Sequence, residues 1–151
     1  MVLDENFKKF IKLLNANDVK YIIVGGFAVA YHGYPRYTKD IDFWVWANTE
    51  NAEKLVKTIQ DFGFGLADFK IQDFLNLDNV IQLGYEPNRI DIITQLDGLD
   101  FETCFPKAIQ VEFEEIPLNF ISFEDLIKNK LATGRPKDRL DARTLEKKKI
   151  R

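Results

Sequence analysis

Asp40 and Asp42 stand two residues apart at the head of an apolar run, Asp40-Ile41-Asp42-Phe43-Trp44-Val45-Trp46. Side chains of a strand alternate between its faces, so both carboxylates point one way while Ile41 and Phe43 point the other. Two carboxylates that close raise each other's pKa unless a cation lies between them. The simplest resident for such an all-oxygen site is Mg²⁺. A further acid, Asp91, stands alone among Ile90, Ile92 and Ile93 in a later apolar run, and a glycine pair, Gly25-Gly26, follows the apolar run at residues 19–24.

The elements that must position these residues follow from periodicity. Phe7, Phe10, Ile11 and Leu14 recur at helical spacing with Lys8, Lys9 and Lys12 on the other side, so an amphipathic helix opens the chain. Residues 19–24 form the first strand; Gly25 and Gly26 end it and start a helix through Phe27 to Tyr31, which Gly33 and Pro35 stop. Arg36 and Thr38 lie in the loop before the second strand, at 40–46. Thr49 is placed to cap a helix whose inward stripe is Ala52, Leu55, Val56 and Ile59 and which ends at Gly63. Residues 64–76 show no clear period. The runs 80–85 and 89–94 form a hairpin joined by Glu86-Pro87-Asn88. A short helix fits within 100–108, and short strands follow around Val111, Phe113 and residues 117–121, at a sheet edge where Pro117 is tolerated. Ser122 caps a helix with Leu126, Ile127 and Leu131 inward; after Gly134 a last helix starts at Pro136 and ends in Lys147-Lys148-Lys149.

Composition sets the outer bounds. A chain of 151 residues with 46% hydrophobic residues, thirteen of them Phe, is one globular domain over 1–151 with a real core. A net charge of −3 argues against a whole surface built for nucleic acid, although a local basic patch stays open. One cysteine, Cys104, excludes an intrachain disulfide and a cysteine zinc cage, which points to a reducing compartment. The longest uncharged run, 21–35, is too short and glycine-rich to span a bilayer, and the N-terminus lacks a signal-peptide pattern, so the expected location is the cytoplasm with no membrane partner. No P-loop and no G-x-G-x-x-G fingerprint is present.

Taken in order, Gly25-Gly26, Arg36-x-Thr38-x-Asp40-Ile41-Asp42 and the acid in Arg89-Ile90-Asp91-Ile92-Ile93 resemble the polymerase beta nucleotidyltransferase superfamily, which includes small bacterial minimal nucleotidyltransferases, antibiotic nucleotidyltransferases and toxin-antitoxin components of the abortive-infection type. The stretch 125–141, Asp-Leu-Ile-Lys-Asn-Lys-Leu-Ala-Thr-Gly-Arg-Pro-Lys-Asp-Arg-Leu-Asp, resembles a C-terminal motif of that bacterial branch. The resemblance implies an α/β fold of the α+β type: a small mixed twisted sheet with helices mainly on one face and a metal site at its exposed edge. It implies Mg²⁺-dependent transfer of a nucleoside monophosphate from a nucleoside triphosphate, ATP by preference, with two Mg²⁺ ions held by Asp40, Asp42 and Asp91 as the catalytic and metal-binding acids. Gly25, Gly26, Arg36, Thr38 and Lys130 are the implied nucleotide-binding residues. Many superfamily members carry Gly-Ser where this chain has Gly25-Gly26, so backbone groups must hold the phosphates here.

Blander readings apply to several of these residues. Asp91 could pair with Arg89 or Arg36, Arg36 could orient Asp40, and His32, the lone histidine, could be structural. From Arg135 onward the chain carries eight basic residues against three acids, which is a solvated helix face or a partner surface. Because few residues remain after Asp91, the acceptor site is expected to be borrowed from a second copy (a homodimer) or another macromolecule, with a protein acceptor favoured over RNA by the low pI. A non-catalytic antitoxin-like binding module that keeps the fold is the alternative reading.

Overall fold

The computed structural model describes residues 3–35, 38–64, 69–85 and 87–150. The opening helix α1 (Glu5–Ala16) is capped by Asp4, whose carboxylate accepts from Asn6 N at 2.8 Å. Its apolar stripe is buried to the last residue: Phe7, Phe10, Ile11 and Leu14 are each 1% exposed or less. At about 1.5–3 kcal/mol for each large side chain, this stripe binds α1 far more strongly than helix propensity does.

Strand β1 (Tyr21–Val24) runs directly into helix α2 (Gly25–Tyr31). Strand β2 (Ile41–Val45) returns antiparallel to β1, with Tyr21 opposite Val45 and Val24 opposite Asp42. Helix α3 (Thr49–Ile59) follows, capped by Asn48 and not by Thr49: the Asn48 side chain accepts from Asn51 N at 2.8 Å, and Thr49 is the first helical residue. Asn51, buried on α3, takes Lys20 N on its Oδ1 and donates Nδ2 to the Lys20 and Trp46 carbonyls, pinning the far ends of β1 and β2. A kinked turn with Gly63 at φ +118° ends this region, and within 64–76, where no period was visible, a 3₁₀ turn forms at Ile71–Phe74.

Strands β3 (Val80–Leu83) and β4 (Ile90–Ile93) form the expected hairpin. Beyond it come the short helix α4 (Phe101–Cys104), a 3₁₀ turn, and a second hairpin of β5 (Ile109–Phe113) and β6 (Ile116–Phe120). One mixed sheet results, in the order β3-β4-β2-β1-β6-β5. Central strand β1 is buried along its whole length, which is why it reads as a continuous apolar run. The edge on this side is β5, not Pro117's own strand; β6 pairs in parallel with β1 at Ile23 and Phe120, and Pro117 precedes that contact, so its missing N–H costs no bond to β1.

Helices α5 (Phe123–Ala132) and α6 (Pro136–Ile150) close the chain. Ser122 caps α5 as expected, accepting from Asp125 N. The inward stripe of α5 differs from expectation: Leu126 is buried, Ile127 is half-buried, and Leu131 is 51% exposed. Asn129 and Lys130 occupy buried positions instead, because the partner of α5 on that side is α6, which offers Asp138 and Asp141. No helix among the described residues is long and apolar enough to cross a membrane.

Candidate active site

The register of the parallel strands sets Asp42 of β2 directly beside Asp91 of β4. Neighbouring strands lie roughly 4.8 Å apart, so two residues 49 positions apart in sequence present carboxylates on one face. The pair sits on central strands of the sheet at its α2 end, not at an exposed edge as expected. Asp91 is buried. Asp40 lies just before β2 and accepts from Arg89 N at 3.2 Å through Oδ1, tying the entry of β2 to the entry of β4.

Arg89 organises the charges. Its Nε donates to Asp91 Oδ1 at 2.7 Å and its Nη2 to Asp91 Oδ2 at 3.0 Å, a bidentate clamp; the same Nη2 lies 3.1 Å from Asp40 Oδ2. Residues 89 and 91 share a strand face by the period of two, which is the signal by which the sequence could have marked Arg89 as part of the site rather than as a competing partner for Asp91. The Asp42 carboxyl is pushed up to about 7, first by burial, then by the charges of Asp91 and Asp40 and by a hydrogen bond to Asp91, with the charge of Arg89 opposing them.

Glycine is required beside this cluster. Gly25 has φ +69°, and a β-carbon there would collide with the Asp42 carboxylate; one at Gly26 would collide with the methyl group of Thr38. Gly25, Gly26, Thr38, Asp40, Asp42 and Asp91 are therefore brought together around the start of α2. Arg36 lies outside the described residues. Lys130 is placed otherwise: its Nζ is 3.1 Å from Asp138 and 3.4 Å from Asp141 inside the α5–α6 pair, where it neutralises two buried acids. His32 joins Ile121 O through Nε2 at 2.7 Å, and burial lowers its pKa.

Among the described residues no three acidic, thiol or imidazole side chains converge on one metal position, since Arg89 draws Asp40 and Asp91 to itself. The donor set nonetheless fits a hard divalent cation: it is all oxygen, it already gathers around one positive charge, and burial together with the charges of Asp91 and Asp40 holds Asp42 well above its ordinary pKa.

The fold has solved counterparts. A lincosamide antibiotic adenylyltransferase, LnuA, determined with lincomycin bound, aligns over 96% of this chain and 97% of its own at a TM-score of 0.54 and 15% identity. An antigenic nucleotidyltransferase-like protein from Paracoccidioides brasiliensis aligns over 95% of this chain and 75% of its own, with a TM-score of 0.54 and 14% identity. At such identities the likeness concerns the fold alone. No curated protein matches the sequence. Residues 2–147 match the model of the family described as nucleotidyltransferase of unknown function (DUF6036). With nearly the whole chain matched, and the fold and the ordered acids in agreement, the protein belongs to that family of nucleotidyltransferases.

Proposed function

We propose that the protein moves a nucleoside monophosphate from a nucleoside triphosphate, ATP in the first instance, to an acceptor hydroxyl, using Mg²⁺ held by Asp40, Asp42 and Asp91. The observation that carries this reading is the Asp42–Asp91 pair: two carboxylates in mutual hydrogen-bond contact beside a glycine turn, one of them raised to about 7. Setting the half-buried Asp42 beside the buried Asp91 costs stability that the single positive charge of Arg89 offsets only in part, and a bound cation would relieve the rest. When bound, such ions neutralise charge on the transferring group and help hold attacking and leaving oxygens in line.

The residues divide the remaining work. Gly25 and Gly26 let the turn into α2 pass close against Asp42 and Thr38, with its backbone N–H groups assigned to the phosphates, and Thr38 packs against Gly26. Arg89 fixes Asp40 and Asp91 before substrate arrives. In the reaction the acceptor oxygen forms a bond to the α-phosphorus, the bond from that phosphorus to the β-phosphate oxygen breaks, pyrophosphate leaves, and the hydroxyl proton passes to a carboxylate of the cluster and on to water. Incubation with cell lysate, Mg²⁺ and ATP labelled at either the α- or the γ-phosphate tests the reading. Label should be transferred from the α position alone and be lost with Asp91→Asn; transfer from the γ position would mean a phosphoryl transferase instead.

A further inference from the structure

The charges of α6 are sorted by its packing. Of its three acids, Asp138 and Asp141 are buried against Lys130, and only Glu146 is exposed. Its basic residues face outward. Arg139, Arg143 and Lys147 recur at intervals of four and all are exposed, while Arg135, just before the helix, pairs with Asp138 at 2.7 Å. Residues four apart share a helix face at a rise of about 6 Å, so these side chains form a stripe of positive charge along the helix. A protein with a total charge of −3 thus carries one strongly basic ridge.

The ridge ends at a groove of about 540 Å³ between the end of α2, the start of α5 and the end of α6. Tyr31, His32, Phe123, Glu124, Lys148 and Lys149 line it. Tyr31 is 37% exposed and stacks on Phe120; Lys149 lies 4.3 Å above the Phe123 ring. His32 is fixed by its 2.7 Å contact to Ile121 O, which makes Nε2 the protonated nitrogen and Nδ1 an acceptor. Ile121 N in turn bonds Ile23 O, and the next residue of β1, Val24, pairs with Asp42. The groove therefore opens at the same end of the sheet as the carboxylates, with Asp42 two strands and Asp91 three strands from Ile121, roughly 10 and 15 Å.

Aromatic faces interleaved with lysines at the end of a basic track match the chemistry of a single-stranded nucleic acid, with phosphates along the ridge and bases against the rings. We propose that α6 and this groove bind single-stranded RNA or DNA and present its end to the carboxylates as the acceptor. The overall acidity that favoured a protein acceptor loses its force once two of the α6 acids are turned inward. The acceptor role rests on the nucleotidyl-transfer reading; the binding does not.

Fluorescence anisotropy with labelled single-stranded RNA and DNA of about 12 nucleotides, with polyglutamate as the acidic-protein control, tests the proposal. Arg139→Glu with Arg143→Glu should weaken oligonucleotide binding at least tenfold and flatten its salt dependence by about 1.4 in the log–log slope. Tyr31→Ala should weaken it about fivefold or more, while Lys12→Glu on α1 should change it little. All four substitutions are at exposed positions, and equal melting temperatures would confirm the fold. Stronger binding of RNA than of DNA would name the acceptor as RNA, and the reverse as DNA. Oligonucleotide affinity unmoved by the α6 double variant, or polyglutamate bound as tightly as either strand, would overturn the proposal. ATP binding, measured separately, should survive in all these variants; its absence in the wild type would refute the transfer reading and leave the nucleic-acid site standing.

Discussion

At the scale of the residue, Asp42 stands where burial and like charge combine. Its carboxyl is raised from 3.8 to about 7 by burial and by the two neighbouring acids. An acid whose folded pKa exceeds its unfolded value withdraws stability as pH rises from the unfolded value to the folded one, here from about pH 4 to about pH 7. Over that window the loss amounts to as much as about 4 kcal/mol. Asp42→Asn removes the titration, so the variant should melt well above the wild type at pH 8 and close to it at pH 4. Mg²⁺ should narrow the gap at pH 8 by stabilising only the wild type. Thermal melts at the two pH values check this; a gap of equal size at both would mean that Asp42 is not held protonated by its neighbours. Arg89 belongs to the same scale. Replacing it by Gln leaves Asp40 and Asp91 without their cation, and the variant should lose about 2–4 kcal/mol of stability in metal-free buffer and recover part of that with Mg²⁺, as measured by denaturant unfolding.

Elements decide which of the motif residues meet. Asp40 and Asp42 could be placed together from the sequence because a strand's period is local, but Asp91 joins them only through the parallel pairing of β2 with β4, a register that no local pattern encodes. Arg89 was visible as a neighbour of Asp91, yet its grip on Asp40 is again a product of that register. Lys130 shows the opposite case: a lysine within a motif-like stretch whose role is to join α5 to α6, as the burial of Asp138 and Asp141 on the facing helix reveals. Cap positions were legible to within a residue, since Asn48 and Thr49 are both good caps and only the helix start separates them. Lys130→Met should therefore destabilise the fold by about 3–5 kcal/mol, the cost of leaving buried charge without its partner, while ATP affinity per folded molecule stays unchanged. Normal stability with lost ATP binding would assign Lys130 to the nucleotide after all.

On the scale of the whole molecule, the sheet collects the acids at one end and Asn51 fastens the other, so the geometry of the cluster depends on the rigidity of β1 and β2 between them. Gly25 is where that frame meets the Asp42 carboxylate: Gly25→Ala should both strain the turn and displace that carboxylate, lowering stability by about 1–2 kcal/mol and, under the proposed function, abolishing ATP binding, whereas Gly134→Ala, where a β-carbon meets nothing within 4 Å, should cost stability through its φ of +71° and spare binding. Calorimetric titration of ATP into the purified protein, with and without Mg²⁺ and with Asp42→Asn and Asp91→Asn alongside, is the most direct test that these carboxylates form a metal–nucleotide site. The expected result is binding that weakens at least tenfold when Mg²⁺ is withheld and equally in either variant. A folded protein that binds no ATP, or binds it as well without Mg²⁺ and in both variants, would contradict it.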